Sequence, residues 1–339
     1  MANEMKTVVL GGTGLLGSHL LFDLTKTQKV VATFRNEKKT QLVLAVFKHY
    51  DFENAETQFR KIEWVQADVL DIESLREVLH NATQVYHCSA LVSFHRIDFY
   101  KCIAINRGGT ENVVNVCLEI PSVKLCYVSS TAAIGQNKSG KTTEKDVWKA
   151  GNLNSGYSVS KFGAEKEVWR GIEEGLNAVI INPCVILGAG DWDQGSLSIF
   201  KTAQKGLRFY PSGSNATVDA RDVSKSMVFL MNSDLRSKRF LCTGENASFK
   251  VLFSKLSLAM GKTPPKLKSP RQLALWVGYL LETFNLMRGN REGLTIETAQ
   301  SAYKNISYDS SVLRKLLNFE FYSLDETIRN GLSGRLKEW

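Results

Sequence analysis

The chain has 339 residues, 43% of them hydrophobic and 23% charged, with a formal net charge of +9. This is the balance of an ordinary globular protein long enough to bury a large core in one big domain or two. The basic residues are dispersed, with only short clusters such as Lys38-Lys39, so the charge reads as a solvated surface and excludes a nucleic-acid footprint.

No apolar run follows a basic N-terminal segment, so no secretory signal is expected. The longest apolar stretch, 273–287, is too short to span a bilayer and is interrupted by Glu282. It reads as a buried or surface-seeking amphipathic helix, so stable membrane insertion is not expected and a cytoplasmic location is.

Along the chain, Thr7–Leu10 is a short β-branched and apolar run ending at glycines, hence a buried strand, and Leu15–Leu24 carries apolar residues at helical spacing. Further strands are predicted at Val30–Phe34, 63–66 and 84–88. Asp71 is placed to cap a helix over Ile72–Leu79. A long helix is expected over 97–117, a fifth strand over 123–129, a helix over 155–174 and a sixth strand over 178–182. Repeated βα units demand parallel strands joined by right-handed crossovers, so the fold class is α/β with a doubly wound parallel Rossmann sheet. After Pro183 the pattern turns irregular: 188–195 and 211–215 are loops, 219–231 is a strand-to-helix return, and 264–270 breaks the chain before a final helical region. The expected organisation is a dinucleotide-binding domain from 1–183 and 219–245, and a smaller discontinuous substrate lobe from 184–218 and 246–339. No internal repeat or low-complexity tract is found.

The six cysteines, Cys88, Cys102, Cys117, Cys126, Cys184 and Cys242, form no CxxC pair and lie mostly within apolar segments. They read as reduced, buried thiols, and no metal site is expected.

Chemistry enters at Gly11-Gly12-Thr13-Gly14-Leu15-Leu16-Gly17, between the first strand and the first helix. Glycines there permit positive φ and let backbone approach a pyrophosphate, while the helix N-terminus offers unpaired N–H groups. Gly11, Thr13, Gly14, Leu15, Leu16 and Gly17 are therefore candidate cofactor contacts. At the end of the second strand, where NAD-binding proteins carry an acidic residue, this chain has Arg35. A guanidinium pairs with a 2′-phosphate, so NADP is favoured and NAD is the alternative.

About 140 residues on, Tyr157 and Lys161 are four apart at the start of a predicted helix, hence on one face. A phenol is a poor acid–base catalyst at its ordinary pKa of about 10, and an ammonium beside it together with an oxidised nicotinamide favours the phenolate. The fifth strand runs out at Ser129-Ser130-Thr131, and a hydroxyl there can hold a substrate oxygen. Ser130 is the choice and Thr131 the alternative.

With these motifs the chain resembles the extended short-chain dehydrogenase/reductases, the NAD-dependent epimerase/dehydratase group. Asp68-Val69, His87-Cys88-Ser89-Ala90, Asn106-Arg107-Gly108-Gly109-Thr110-Glu111-Asn112, Asn182-Pro183 and Val218-Asp219-Ala220-Arg221-Asp222-Val223 also fit. Ala32-Thr33-Phe34-Arg35 and Ser158-Val159-Ser160-Lys161 resemble the dihydroflavonol-reductase-like branch, which uses NADPH. The resemblance implies a Ser130/Tyr157/Lys161 triad, adenine contacts from Asp68 and Val69, a cofactor path along Ser89 and Ala90, and Pro183 and Val185 near nicotinamide. Cys88 departs from the usual alanine. The resemblance also implies a homodimer through the 97–117 and 155–174 helices.

The function these readings favour is an NADP-dependent oxidoreductase that reduces a small-molecule ketone or aldehyde to an alcohol. The alternatives are a nucleotide-sugar epimerase or dehydratase with tightly held NAD(P), or a non-catalytic NAD(P)-sensing or scaffold protein. Arg208, Arg221, Lys266 and Arg271 are candidate diphosphate partners for a sugar nucleotide. Trp192, Phe200, Phe209, Tyr210, Trp276, Tyr279 and Phe284 either line an apolar pocket or pack the lobe's core.

Overall fold

Seven strands build the central sheet of the computed structural model, which describes residues 5–137, 140–151, 155–287 and 295–336. They are β1 (Thr7–Leu10), β2 (Val30–Phe34), β3 (Ile62–Gln66), β4 (Gln84–His87), β5 (Lys124–Val128), β6 (Asn177–Pro183) and β7 (Lys238–Cys242). Their order is β7-β6-β5-β4-β1-β2-β3 and every pairing is parallel. The chain winds outward from β1 to β3, then crosses back to lay β4 on the other side of β1. Leu10 is in register with His87, so the reversal opens a crevice beyond the carboxyl ends of β1 and β4.

Side chains alternate across the sheet and so feed two cores. Val9 packs with Leu20 and Leu21 of α1 (Leu15–Leu24), Phe47 of α2 (Thr40–Tyr50), and Met227 and Leu230 of the return helix Ala220–Asn232. Val8 and Leu10 point the other way, onto Leu75 of α3 (Ile72–Leu79), Val113 and Val114 of α4 (Gly109–Leu118), and Ala164 and Val168 of α5 (Gly156–Glu173). Helices on both faces make the sheet doubly wound, as the alternating pattern predicts. Asp71 caps α3 through the amides of Glu73 and Ser74.

The helical run expected over 97–117 is continuous from Arg96 to Leu118 but is not α-helical throughout. Arg96–Asp98 is a tight turn, Phe99–Cys102 is α-helical, Ile103–Gly108 is a π segment, and α4 follows. Gly108 and Gly109 weaken the α-helix locally, and Asn106 in the π segment is drawn into hydrogen bonds outside the helix.

A third apolar cluster joins Leu187, Leu197 and Phe200 to Leu252, Leu256, Leu324 and Ile328. A three-stranded sheet runs beside it, with Ser214–Asp219 parallel to Val185–Leu187 and antiparallel to Glu245–Ser248. Trp192 and Phe200 are buried in this cluster, their rings stacked at 5.2 Å. Phe209, Trp276, Tyr279 and Phe284 are exposed, so they neither pack this core nor line an enclosed pocket. All six cysteines are free, five of them buried and Cys88 half-buried. Among the described residues no helix is long and apolar enough to cross a membrane, and no group of side chains is arranged to hold a metal ion.

Candidate active site

The glycine turn sits at the mouth of the crevice. Gly11 has φ +82, which an L side chain rarely adopts, and a Cβ there would lie 2.8 Å from the Ser89 nitrogen. A Cβ on Gly17 would lie 2.2 Å from the Gly11 carbonyl oxygen, so α1 can start this close to β1 only as glycine. Thr33 staples the turn to β2: its hydroxyl accepts from the Gly11 amide at 3.1 Å and its carbonyl from the Gly12 amide at 3.2 Å. Gly14 brings no capping side chain, and the amides of Leu15, Leu16 and Gly17 lie in the first turn, where no carbonyl stands behind them. Thr13 lies within the turn. These features fit a dinucleotide pyrophosphate.

The other expected cofactor residues cluster at the same sheet edge. Arg35 follows β2 directly and is exposed. Asp68 and Val69 follow β3; Asp68 accepts from the Leu70 amide, and Val69 is wedged against Gly109. Ser89 touches the turn at Gly11, and Ala90 beside it is exposed. Pro183 ends β6, and Val185 begins the next strand.

The start of α5 is fixed by its own hydroxyls. Ser155 caps it by accepting from the Ser158 amide, and the Ser158 hydroxyl donates to the Ala132 carbonyl at 2.7 Å. The exit of β5 and the first turn of α5 are thereby locked together. Across that contact the Ser130 hydroxyl, which accepts from the Ala132 amide at 3.1 Å, stands near enough to the Tyr157 phenol to favour its ionised form. The three adjacent hydroxyls differ in surroundings: Ser129 donates to Glu165 at 2.6 Å, Ser130 lies on the side of the Tyr157 phenol, and Thr131 on that of Tyr308. Phe94 packs edge-on against the Tyr157 ring, centroids 5.5 Å apart.

Lys161 lies one turn along and is buried, 2% exposed. Its ammonium donates to the Tyr127 hydroxyl at 2.9 Å and the Val128 carbonyl at 2.7 Å, and stands 4.6 Å over the Tyr127 ring. Burial lowers its pKa to about 7, against the upward pull of Glu165 and Cys88. Burial likewise raises Tyr157 to about 12, opposed by the nearby Ser130 hydroxyl. In the protein alone the phenol therefore becomes a weaker acid, the reverse of the lowering expected from Lys161, because desolvation outweighs any help from an ammonium whose partners are Tyr127 and Val128. His87, held by Thr110 at 3.1 Å, is pushed down to about 3 by burial and by Lys161, so it stays neutral.

Two contributors, Glu165 and Tyr127, carry no motif, and a third, Asn106, opens the 106–112 segment that fits the family. Glu165, 2% exposed, accepts from Ser129, from Asn182 at 2.7 Å and from Arg239 at 3.0 Å, tying the ends of β5 and β6 to α5. The i,i+4 spacing from Lys161 is the only hint of it in the chain. Tyr127 holds the ammonium from inside a strand. Asn106 donates to the Leu91 carbonyl and the Ser160 hydroxyl, both at 2.9 Å, and accepts from the Leu91 amide, fixing the 89–91 loop against α5.

Arg221, considered for a diphosphate, is already committed. It pairs with buried Asp219 at 2.7 Å and stacks on Tyr322 at 3.6 Å. Arg208, Lys266 and Arg271 are exposed.

The profile of the NAD-binding family described as "Male sterility protein" matches residues 9–227. Among curated relatives, "Sterol demethylase protein B" of Methylococcus capsulatus is 26% identical over 81% of this chain and 81% of its own. A "Putative dihydroflavonol 4-reductase" of Synechocystis is 24% identical over 89% of this chain and 86% of its own. Among solved structures, gox2253 superposes with a TM-score of 0.78 at 23% identity, over 98% of each chain. Gre2 of Candida albicans in complex with NADPH gives 0.74 at 21%, again over 98% of each chain. UDP-glucuronic acid 4-epimerase of Bacillus cereus, with UDP-glucuronic acid and NAD, gives 0.72 at 18%, over 97% of this chain and 98% of its own. The chain belongs to this NAD-binding family and is an extended short-chain dehydrogenase/reductase, an NAD(P)-dependent enzyme of the reductase/dehydrogenase type.

Proposed function

We propose that the protein is an NADP-dependent reductase of a ketone or aldehyde, with Ser130, Tyr157 and Lys161 as its catalytic residues. The observation that carries this reading is the convergence of β5's exit and the first turn of α5, locked by the Ser158 hydroxyl on the Ala132 carbonyl, which sets Ser130 beside Tyr157, with Lys161 buried one helical turn on and the glycine turn at the same end of the sheet. The residues from Gly11 to Gly17 hold the pyrophosphate, Asp68 and Val69 the adenine side, Ser89 and Ala90 the path between, and Pro183 and Val185 the nicotinamide side. A bound nicotinamide supplies the hydride for the carbonyl carbon.

Ser130 orients the carbonyl oxygen by donating to it, and Tyr157 gives its proton to that oxygen as negative charge develops. A phenol titrating near 12 is fully protonated at neutral pH, the form a reductase needs at the start of its cycle. Lys161 holds the strand exit through Val128 and Tyr127, and supplies the charge that stabilises the phenolate once its proton has left. Arg35 is the partner for a 2′-phosphate, and no carboxylate stands at its position to repel one. That favours NADP over NAD. The commitment of Arg221 to Asp219 and Tyr322 removes one partner that a sugar-nucleotide epimerase would use.

The test is NADPH consumption against a panel of ketones, aldehydes and sugar nucleotides, with Tyr157→Phe alongside. The Phe94 contact survives in that variant. Turnover is expected to fall about 10²–10⁴-fold, the usual worth of a general acid, with NADPH binding unchanged. Turnover within about tenfold of the parent takes Tyr157 out of the mechanism. Interconversion of sugar nucleotides without net NADPH consumption makes the protein an epimerase.

A further inference from the structure

The helix Arg271–Met287 is inside out. Leu273, Trp276, Val277, Leu280, Leu281 and Phe284 recur at spacings of three and one, which puts them on one helical face, and all six are exposed. Trp276 is 67% exposed and Leu280 60%. The opposite face is the one turned to the protein. A Cβ on Gly278 would lie 3.3 Å from the Thr295 carbonyl and the Ala299 methyl. Glu282 is buried, accepting from the Arg96 amide at 3.4 Å and the Ile296 amide at 3.0 Å. With Gly278 and Glu282 inward beside the half-buried Leu275, and six large apolar side chains outward, the helix presents to water the face a surface helix ordinarily buries. Before the helix N-terminus, Leu267 and Phe209, paired across a two-stranded ladder, are also both more than half exposed. An exposed apolar helical face of this kind marks an interaction site.

The charges around it select the partner. From residue 260 to 281 the chain carries Lys262, Lys266, Lys268 and Arg271, all exposed, and no acidic residue. An apolar helical face with an aromatic residue on it and cations at its end has the chemistry of an anionic lipid surface. A second copy suits it poorly: a two-fold interface places the patch against itself, bringing the four cations of each copy together. Among the described residues no helix is long and apolar enough to cross a bilayer, and Glu282 sits within this one, so the docked orientation is in the plane of the interface.

The geometry points to this face as a membrane-docking surface for bilayers containing anionic lipid. The same segment is anchored beside the candidate catalytic residues: Glu282 holds Arg96, two residues from Phe94, and the Glu297 carboxylate lies near the Gly156 amide, next to Tyr157. Docking therefore sets the edge of the crevice at the lipid headgroups. The docking itself does not depend on the reductase assignment.

The experiment is co-sedimentation of the full chain with vesicles of phosphatidylcholine and phosphatidylglycerol at about 3:1, and with pure phosphatidylcholine. Binding is expected on the mixed vesicles, at least about tenfold weaker on the neutral ones and weakened by salt. Two variants at exposed positions, Trp276→Glu/Leu280→Glu and Lys266→Glu/Lys268→Glu, should each lose about tenfold or more in partition while keeping the parent's melting temperature and NADPH binding. No sedimentation of the parent protein, equal retention on neutral vesicles, or full binding by both variants overturns the proposal. So does a parent that is a dimer in light scattering, ignores vesicles and becomes monomeric with Trp276→Glu/Leu280→Glu, which assigns the face to a second copy.

Discussion

Lys161 gives the site a pH signature in the stability of the protein without cofactor. Its ammonium titrates at about 7 in the fold and at the ordinary 10.5 in an unfolded chain. At about 1.4 kcal/mol per decade, burying it charged costs about 5 kcal/mol relative to water. The unfolded chain binds the extra proton between those two values, so stability rises with pH across that window, from pH 7 toward 10.5. Below pH 7 both states hold the proton and the full penalty applies; above 10.5 neither does. Lys161→Met removes the titration while keeping most of the apolar stem. Comparing the two proteins cancels every group that titrates in both, including Cys88 and Tyr157, both pushed upward by burial. The unfolding free energy of the parent should gain about 3 kcal/mol on that of the variant between pH 7 and 9.5. Urea unfolding at half-unit steps of pH, followed by intrinsic fluorescence, measures the gap. A gap that stays constant across the window means the ammonium remains charged throughout, and the account of Lys161 as a desolvated cation fails.

Two further substitutions probe the cofactor seat. Arg35→Glu exchanges the proposed 2′-phosphate partner for a repelling carboxylate; NADPH affinity should fall about 10–100-fold, as for loss of a charge-assisted hydrogen bond, with NADH changed far less. A fluorescence titration in which both cofactors weaken alike removes Arg35 from the selection. Gly17→Ala drives a methyl to within 2.2 Å of the Gly11 carbonyl, backbone against backbone, whereas Gly108→Ala meets nothing within 4 Å. The first should lose about 1–3 kcal/mol of stability and most NADPH binding, and the second neither. Equal behaviour in thermal melts and titration contradicts the tight strand–helix turn.

What the chain discloses before folding follows the range of the forces involved. The runs Thr7–Leu10, Leu15–Leu24 and Val30–Phe34 were legible to the residue, because alternation, helical spacing and glycine punctuation are local. The helix Thr40–Tyr50 was not, since its apolar positions follow a charged turn that gives no start signal. The π segment between Cys102 and Gly109 was also hidden: Asn106 within it reaches Leu91 and Ser160, one 15 residues away and the other 54. The site divides the same way. Gly11–Gly17 and the Tyr157–Lys161 pair declare themselves by spacing. That Ser129 is taken up by Glu165 is not legible there, since the fold alone brings that carboxylate from 36 residues away.

That division explains why the acidity of Tyr157 ran against expectation. Spacing alone puts the ammonium on the phenol's face of the helix and suggests a lowered pKa. The fold instead draws Lys161 inward, between the Tyr127 ring and the Val128 carbonyl, and closes Phe94 over the phenol. Desolvation then acts on both groups, raising the acid and lowering the base until an ordinary separation of about half a decade becomes one of about five in the opposite order. At pH 7 the phenol is protonated and the lysine about half charged. On the proposed function, an anionic dinucleotide favours the ammonium and the ammonium the phenolate, so Lys161 would couple cofactor occupancy to the proton inventory of the site.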